Sequence, residues 1–269
     1  MFFTTSRGNR IYFSVMGDAS RPPLLLVHGS TLTGEADFIT KSGTAARFAK
    51  DFRVIIPDCQ GHGRSDSVWV GEGESRRLNY SFSDMARDLA ELLVAQNASP
   101  AFVMGHSNGG NVVLYLVKEQ AAHVRAAIPL AANAYICDHL RARVPHGMNP
   151  DRIEREDPAW RDEMIALHDA HQGEGHWRHL LRATITETIT NPNWKREDLA
   201  DVRTPCLVTQ GQNDRANAPS HHAETLHEWL PNSQLWIPPG IGHSVHWEIP
   251  DEFERRAREF FSLSIRLPI

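Results

Sequence analysis

The stretch that decides the fold is Gly105-His106-Ser107-Asn108-Gly109, a G-x-S-x-G pentapeptide. It follows a short apolar run at residues 101–104 and opens a segment, residues 108–120, whose apolar side chains recur with helical periodicity. A sharp strand-to-helix turn exposes the serine hydroxyl, and glycines on either side leave the space that the turn needs. The pentapeptide in this context predicts a nucleophile elbow with Ser107 at its tip.

Short apolar runs recur on both sides of this pentapeptide. They lie at residues 24–27, 53–56, 126–130, 206–209 and 234–237. Because these runs lack alternation, we expect strands that are buried on both faces of a parallel sheet. The helical patterns at 81–97 and 108–120 predict βαβ units between them. At the N-terminus, β-rich runs at 2–5 and 11–15 predict a hairpin.

The strand–helix alternation stops between residues 134 and 198, where the chain is polar and rich in His, Trp and Arg. Long insertions in α/β sheets lie at the strand ends where ligands bind. We therefore expect a doubly wound, mostly parallel α/β core formed by residues 1–133 and 199–269. Residues 134–198 are expected to form a helical cap, or lid, over a site at the edge of the sheet.

The composition excludes several classes of protein. The chain has 269 residues, of which 41% are hydrophobic and 23% charged, as in globular domains. A net charge of −5 argues against nucleic-acid binding. No apolar run approaches the roughly 18 residues of a membrane span, and no secretory signal is visible. Cysteines occur only at the scattered positions Cys59, Cys137 and Cys206, which predicts buried, reduced thiols in a cytoplasmic protein. Neither a cofactor nor a metal is expected.

Two further polar residues follow the last two predicted strands. Asp214 ends a Gly-Gln-Asn-Asp turn, and His243 ends a Gly-Ile-Gly-His turn. A serine hydroxyl is a poor nucleophile unless a base accepts its proton and a carboxylate orients that base. Because the carboxyl ends of parallel strands meet at one edge of a sheet, we expect Ser107, Asp214 and His243 to converge there.

Several neighbouring residues are alternatives with weaker support. His246 is the rival base and Asp138 the rival acid, but neither occupies the expected turn. His106 adjoins Ser107 on a sharp turn and is expected to pack rather than to react. No cysteine or carboxylate completes a metal site with the paired histidines of the cap. These histidines are expected either to line a pocket or to pack the cap on the core, together with three tryptophans: His168, His171, His176, His179, Trp160, Trp177 and Trp194.

Taken together, these motifs resemble the α/β-hydrolase superfamily over nearly the whole chain. The residues that carry the resemblance are His28-Gly29-Ser30-Thr31, Asp58-Cys59-Gln60-Gly61-His62-Gly63-Arg64-Ser65, Gly105-His106-Ser107-Asn108-Gly109-Gly110, Gly211-Gln212-Asn213-Asp214, and Gly242-His243 followed by Glu248-Ile249-Pro250. The resemblance implies Ser107 as nucleophile, His243 as base and then acid, and Asp214 as the group that orients His243.

The resemblance also implies further roles around the site. The oxyanion hole would be formed by the backbone N–H groups of Ser30 and Asn108. Residues expected to contact substrate are His28, Thr31, Trp177 and His246. His28 and His62 are also expected to anchor loops beside the site. Gln60, where many relatives carry Arg, is expected to change loop packing rather than chemistry.

A serine at position 107 excludes the haloalkane dehalogenases and epoxide hydrolases of this superfamily, which attack with Asp. The resemblance then implies a serine hydrolase that cleaves a small carboxylic ester or lactone through an acyl-enzyme. Asn108 disfavours α-amino esters, whose ammonium needs a carboxylate. Three alternatives stay open: carbon–carbon bond hydrolysis of ring-cleavage products, hydroxynitrile-lyase chemistry, and a non-enzymatic small-molecule receptor. The expected partner is a small molecule; the oligomeric state stays open.

Overall fold

The structure is a computed structural model that describes residues 1–265. Ten strands form, and they are β1 Phe2–Thr4, β2 Arg10–Met16, β3 Pro23–Val27, β4 Arg53–Pro57, β5 Trp69–Val70, β6 Arg77–Leu78, β7 Ala101–His106, β8 Val124–Leu130, β9 Cys206–Thr209 and β10 Ser233–Trp236. Eight of them make one sheet in the order β1-β2-β4-β3-β7-β8-β9-β10, while β5 and β6 pair separately.

The sheet is parallel from β4 through β10, as its apolar runs predicted. β3 lies between β4 and β7, with Leu25 opposite both Ile55 and Val103. The predicted N-terminal hairpin is confirmed, because β1 and β2 pair antiparallel. β2 then pairs antiparallel with β4, which places this hairpin at the edge of the sheet.

Both faces of the sheet are apolar because alternate side chains enter two separate cores. Leu25 and Val27 of β3 enter one cluster, while Leu24 and Leu26 enter the other, and all four are fully buried. Such strands show no polar alternation, which is why their sequences are continuous apolar runs. The resulting layers of helix, sheet and helix give the predicted α/β architecture.

Twelve α-helices flank or follow the sheet in the described chain. They are α1 Thr44–Phe48, α2 Phe82–Ala95, α3 Asn108–Glu119, α4 Asp138–Gly147, α5 Pro150–Glu156, α6 Pro158–Met164, α7 Ala170–Gln172, α8 His176–Thr188, α9 Arg196–Leu199, α10 His222–Trp229, α11 Val245–Glu248 and α12 Pro250–Ile265. Ser81 caps α2 by accepting a hydrogen bond from the Asp84 N–H at 3.3 Å, which satisfies an otherwise unpaired donor. Within residues 1–265, no helix is long and apolar enough to cross a membrane.

The chain between β8 and β9 forms helices α4 to α9 and no strand. This is the segment in which the sequence predicted a helical cap, and α8 contributes Trp177 and Leu181 to one of the apolar clusters. The elements outside this segment that were not predicted include the small β5–β6 hairpin, a π-helical turn at Ala36–Lys41, and the helices α1, α10 and α11.

Candidate active site

Ser107 stands between the end of β7 and the start of α3, in a strained backbone conformation. Its φ is 56° and its ψ is −122°, a region that costs a non-glycine residue about 1–3 kcal/mol. The flanking glycines make the turn possible. A Cβ at Gly105 would lie 2.2 Å from the Gly109 carbonyl oxygen, and one at Gly109 would lie 2.2 Å from that of Val27. The predicted elbow geometry is therefore present.

Asp214 and His243 form a hydrogen-bonded pair at the same edge of the sheet. His243 Nδ1 lies 2.9 Å from Asp214 Oδ2. The other oxygen, Oδ1, accepts from the backbone N–H groups of Ala216 at 2.8 Å and Asn217 at 3.3 Å. Burial alone would raise the pKa of Asp214, but these hydrogen bonds and the imidazole outweigh it and lower the pKa. An ionised Asp214 accepts the Nδ1–H of His243, which leaves Nε2 as a free acceptor.

Ser107 and His243 line one cavity of about 410 Å³. From the core, the other lining residues are Asn108, Ala131, Asn133, Ala216 and Asn217. The helical segment between β8 and β9 contributes Leu140, Arg143, Val144, His146, Gly147, Met148, Arg152, Trp160 and Thr188. No hydrogen bond joins Ser107 to His243 among the described residues. His243 thus contacts Asp214 directly, whereas Ser107 and His243 are related by lining the same cavity.

The loop after β3 passes directly beside the elbow. A Cβ at Gly109 would meet the carbonyl oxygens of Val27 at 2.2 Å and His28 at 2.5 Å. Within residues 1–265, the N–H groups of Ser30 and Asn108 donate to no other group. Asn108 lines the cavity, and its N–H lies in the first turn of α3, where the helix dipole favours negative charge. Ser30 is buried within this loop and does not line the cavity.

A family model described as the alpha/beta hydrolase family matches residues 24–256. The chain belongs to the alpha/beta hydrolase family. Its relatives include the serine hydrolase BPHL of Homo sapiens, 23% identical over 94% of this chain and 83% of that protein. Esterase YbfF of Escherichia coli is 26% identical over 89% of this hydrolase and 93% of that protein. The crystal structure of esterase RhEst1 from Rhodococcus sp. ECU1013 matches 97% of this hydrolase and 98% of that chain, with 25% identity and a TM-score of 0.73.

Next to His243 lies a largely buried group that we call the Asp37 cluster: Asp37, His106, His246 and Trp247. Asp37 Oδ1 accepts from His246 Nε2 at 2.8 Å and from the Trp247 indole N–H at 2.9 Å. Its Oδ2 accepts from His106 Nδ1 at 3.0 Å and from the Gly29 N–H at 2.9 Å. One fully buried carboxylate therefore ties the loop after β3 to the elbow and to α11.

The hydrogen bonds of the Asp37 cluster define its protonation. His106 donates through Nδ1, and its Nε2 accepts from the Ser244 hydroxyl at 3.2 Å. Burial lowers the pKa of His106 to about 4, so the ring is neutral at pH 7. Burial also opposes ionisation of Asp37, but the two imidazoles facing it outweigh burial and hold its pKa well below the usual range.

The Asp37 cluster also brings three possible metal ligands together. Atoms of Asp37, His106 and His246 lie within 4.8 Å of one another. The carboxylate of Asp37 already accepts four hydrogen bonds. Two of the donors, the Trp247 indole N–H and the Gly29 amide N–H, do not lose their protons and so cannot be replaced by a metal ion through deprotonation. The donor set therefore fits a hydrogen-bonded cluster rather than a metal centre. Sequence reasoning missed Asp37, although it stands alone between apolar residues shortly after the His-Gly turn.

A chain of asparagine side chains connects the elbow to the Asp214 turn. Asn111 Nδ2 donates to Asn108 Oδ1 at 3.1 Å and to Asn133 Oδ1 at 3.0 Å. Asn133 Nδ2 in turn donates to Asn217 Oδ1 at 3.0 Å. The N–H of Asn217 then donates to Asp214. Because each carboxamide has a fixed partner, the elbow and the acid are held by one buried network, which the sequence did not predict.

The expected substrate contacts lie elsewhere in the structure. His246 has no exposed surface, and Trp177 packs in the core with 3% of its surface exposed. His28 accepts from the Cys59 N–H at 2.9 Å and donates to the Gly29 carbonyl, so it anchors loops, as does His62. Neither these residues nor Thr31 line the cavity. The rival acid, Asp138, is fully exposed. None of these residues forms part of the cavity lining.

Two histidines attach the helical segment to the core backbone. His168 Nδ1 accepts from the Gly63 N–H at 3.1 Å, and His176 Nε2 donates to the Gly61 carbonyl at 2.8 Å. Burial lowers the pKa of both rings, and that of His168 lies well below its usual range. These two histidines pack the segment on the core, whereas His171 and His179 lie outside the cavity.

Gln60 also behaves as a packing residue. Its buried side chain accepts from Arg7 and Asn9, each at 3.2 Å, and donates to the Asn79 carbonyl at 2.9 Å. It thereby joins the N-terminal hairpin to the core. The three cysteines are unpaired, as expected, but Cys137 is half-buried and corrects the prediction that all three thiols are buried.

Proposed function

We propose that this hydrolase cleaves a small carboxylic ester or lactone through an acyl-enzyme, with Ser107 as nucleophile. The observation that carries the proposal is the His243–Asp214 pair, because His243 lines the same cavity as Ser107 and its Nε2 forms no hydrogen bond within the described residues. In the alpha/beta hydrolases named above, esterases are represented by YbfF and RhEst1. Their activity supports the ester as substrate class.

In the proposed reaction, Ser107 Oγ attacks the substrate carbonyl while His243 Nε2 accepts the hydroxyl proton. Asp214 keeps Nδ1 protonated and stabilises the imidazolium that forms. The backbone N–H groups of Ser30 and Asn108 would donate to the oxyanion. His243 then returns its proton to the leaving alkoxide, and a water molecule, deprotonated by His243, hydrolyses the acyl-enzyme.

The absence of a hydrogen bond between Ser107 and His243 among the described residues is compatible with this mechanism. Catalytic hydrogen bonds are often long before substrate binds and shorten in the Michaelis complex. The Asp37 cluster and the asparagine chain support the proposal, because they hold the three turns at the sheet edge through buried hydrogen bonds. A constellation supported in this way keeps its geometry while the substrate enters.

The test is hydrolysis of 4-nitrophenyl esters from acetate to octanoate, together with simple lactones in a pH-stat. Ser107→Ala should lower kcat by about 10⁴- to 10⁶-fold. The matched control is Ser83→Ala, which removes a surface hydroxyl that donates to Glu119 at 2.6 Å on the outer side of α2. It should keep the wild-type rate. The preferred acyl length would size the cavity.

A covalent probe gives an independent readout. An alkyl fluorophosphonate should add one phosphonyl group to the wild-type protein and to Ser83→Ala, on the peptide that contains Ser107, and none to Ser107→Ala. Folded protein that neither hydrolyses esters or lactones nor takes the label would contradict the proposal. Carbon–carbon bond hydrolysis, hydroxynitrile-lyase chemistry or stoichiometric small-molecule binding would then be tested, and turnover separates the first two from the last.

A further inference from the structure

The cavity beside Ser107 carries an unusual distribution of charge. Its lining includes Arg143, Arg152 and His146 from the helical segment and His243 from the core, and no carboxylate among the described residues. Asp214 lies behind His243 with 1% of its surface exposed, and its charge is engaged by that ring. A substrate in the cavity therefore faces basic side chains without acidic ones.

The two arginines differ in how their guanidinium groups are used. Arg152 donates from Nε to the His146 carbonyl at 2.9 Å and from Nη2 to the Gly147 carbonyl at 3.0 Å. Its Nη1 pairs with Glu156 at 3.2 Å. Arg152 thus joins the end of α4 to α5 and has a structural role.

Arg143 lies in α4 and is exposed, yet it lines the cavity. Among the described residues it forms no hydrogen bond and no ion pair. Its neighbour Arg141, on the same helix, instead pairs with Asp138 at 3.7 Å. A guanidinium without a protein partner is available to a ligand, and its planar fork matches a carboxylate in a two-point contact.

We propose that Arg143 binds a carboxylate of the substrate, so that this hydrolase prefers esters or lactones that carry a negative charge away from the bond that is cleaved. The inference rests on the proposed function, since it assigns a substrate class to the same cavity. The apolar residues Leu140, Val144 and Met148 line the cavity as well. They fit the hydrocarbon that would separate the carboxylate from the scissile carbonyl.

The kinetic test uses matched pairs of esters. Mono-4-nitrophenyl glutarate carries a carboxylate on the acyl side, and 4-nitrophenyl pentanoate is its neutral partner. 4-Acetoxybenzoate carries a carboxylate on the leaving group, and 4-acetoxybenzamide is neutral. Arg143→Gln should lower kcat/KM for a charged ester by about 10- to 100-fold, chiefly through KM, because charge-assisted hydrogen bonds are lost. The neutral esters should be unaffected, and the pair that responds identifies the side.

Arg141→Gln is the control, because it removes the same charge from the same helix outside the cavity. It should leave all four rates at wild-type values. The inference is overturned if wild-type enzyme shows no preference for either charged ester, or if Arg141→Gln and Arg143→Gln lower the charged rates equally. In the second case the overall positive electrostatic potential around α4, and not the Arg143 side chain, would favour the charged esters.

A binding measurement separates failure of this inference from failure of the proposed function. Trp160 lines the cavity, so tryptophan fluorescence should report its occupancy. Benzoate should bind wild-type protein and Arg141→Gln about 10-fold or more tightly than Arg143→Gln, whereas benzamide should not discriminate. Benzoate binding without ester hydrolysis would retain the carboxylate site and reject the esterase. Ester hydrolysis without any effect of Arg143→Gln on rate or binding would retain the esterase and reject the carboxylate site.

Discussion

Replacing Asp37 with asparagine removes the charge at the centre of the Asp37 cluster while keeping the size of the side chain. The carboxylate is fully buried and accepts four hydrogen bonds, from Gly29, His106, His246 and Trp247. Asparagine offers one acceptor oxygen and an NH₂ group in place of the second. The substitution therefore tests whether the negative charge holds together the segments next to His243.

The magnitude follows from the four partners. The asparagine oxygen can keep His246 and Trp247, and His106 can change tautomer to accept from the new NH₂ group. The Gly29 N–H cannot adapt, and an unpaired buried donor costs about 1–3 kcal/mol. The remaining bonds lose their charge, which lowers each from about 1.5–3 kcal/mol to about 0.5–1.5 kcal/mol. Together these losses predict a decrease of about 4 kcal/mol in the free energy of unfolding.

The assay is thermal unfolding followed by circular dichroism near pH 7. In a domain of this size, 1 kcal/mol corresponds to about 2–4 °C, so Tm should fall by about 10 °C. The matched control is Asp201→Asn, which removes an exposed carboxylate that pairs with Lys118 at 2.7 Å on the surface. Its Tm should change little. An unchanged Tm in Asp37→Asn would refute the reasoning.

The pH dependence of the deficit provides a second check. Asp37 has a lowered pKa in the folded state, so its contribution is complete above the unfolded value of about 3.9 and is lost as the pH falls through the folded value. The difference between wild type and Asp37→Asn should therefore be constant between about pH 5 and 8. A deficit that changes markedly within this range would contradict the assignment to the ionised Asp37 carboxylate.

Two further predictions concern the elbow and the thiols. Gly109→Ala should abolish soluble expression or lower Tm sharply, because the new Cβ would lie 2.2 Å from a backbone oxygen. The control Gly147→Ala should express normally, since a Cβ there would meet no atom within 4 Å. Equal yields and equal Tm values for the two variants would contradict this prediction. Native protein should react with one equivalent of a disulfide reagent, at the half-buried Cys137, because burial raises the thiol pKa of Cys59 and, to about 12, that of Cys206. Rapid labelling of all three thiols before unfolding would count against it.

Much of the core could be predicted because the relevant signals are local. A strand buried on both faces is a continuous apolar run, so β3, β4 and β7 were recognisable from a few residues each. The N-cap at Ser81 and the helical periodicity that follows placed α2. The elbow depends on Gly105 and Gly109, because a side chain at either position would collide with nearby backbone atoms. Each of these glycines lies only two residues from Ser107 in the sequence.

The Asp37 cluster could not be predicted from such signals. It combines residues from the turn after β3, the end of β7 and α11, and nothing in the spacing of Asp37, His106 and His246 links them. The proposed role of Arg143 could not be predicted for the same reason, because its lack of a partner among the described residues depends on which side chains surround α4. Trp177 shows the converse error, since an aromatic residue in a cap suits a pocket wall and an apolar core equally well.

The buried histidines have a consequence for the whole chain. Burial lowers the pKa of six buried imidazoles among the fifteen histidines, to about 4 in His106 and His222 and to about 3 in His62, and also in His28, His168 and His176. Their contribution to stability is complete above the unfolded value of about 6.5 and is lost as the pH falls towards the folded values. Unfolding in mild acid therefore takes up several protons at once. Elution or storage near pH 5 should therefore destabilise the interior of this hydrolase.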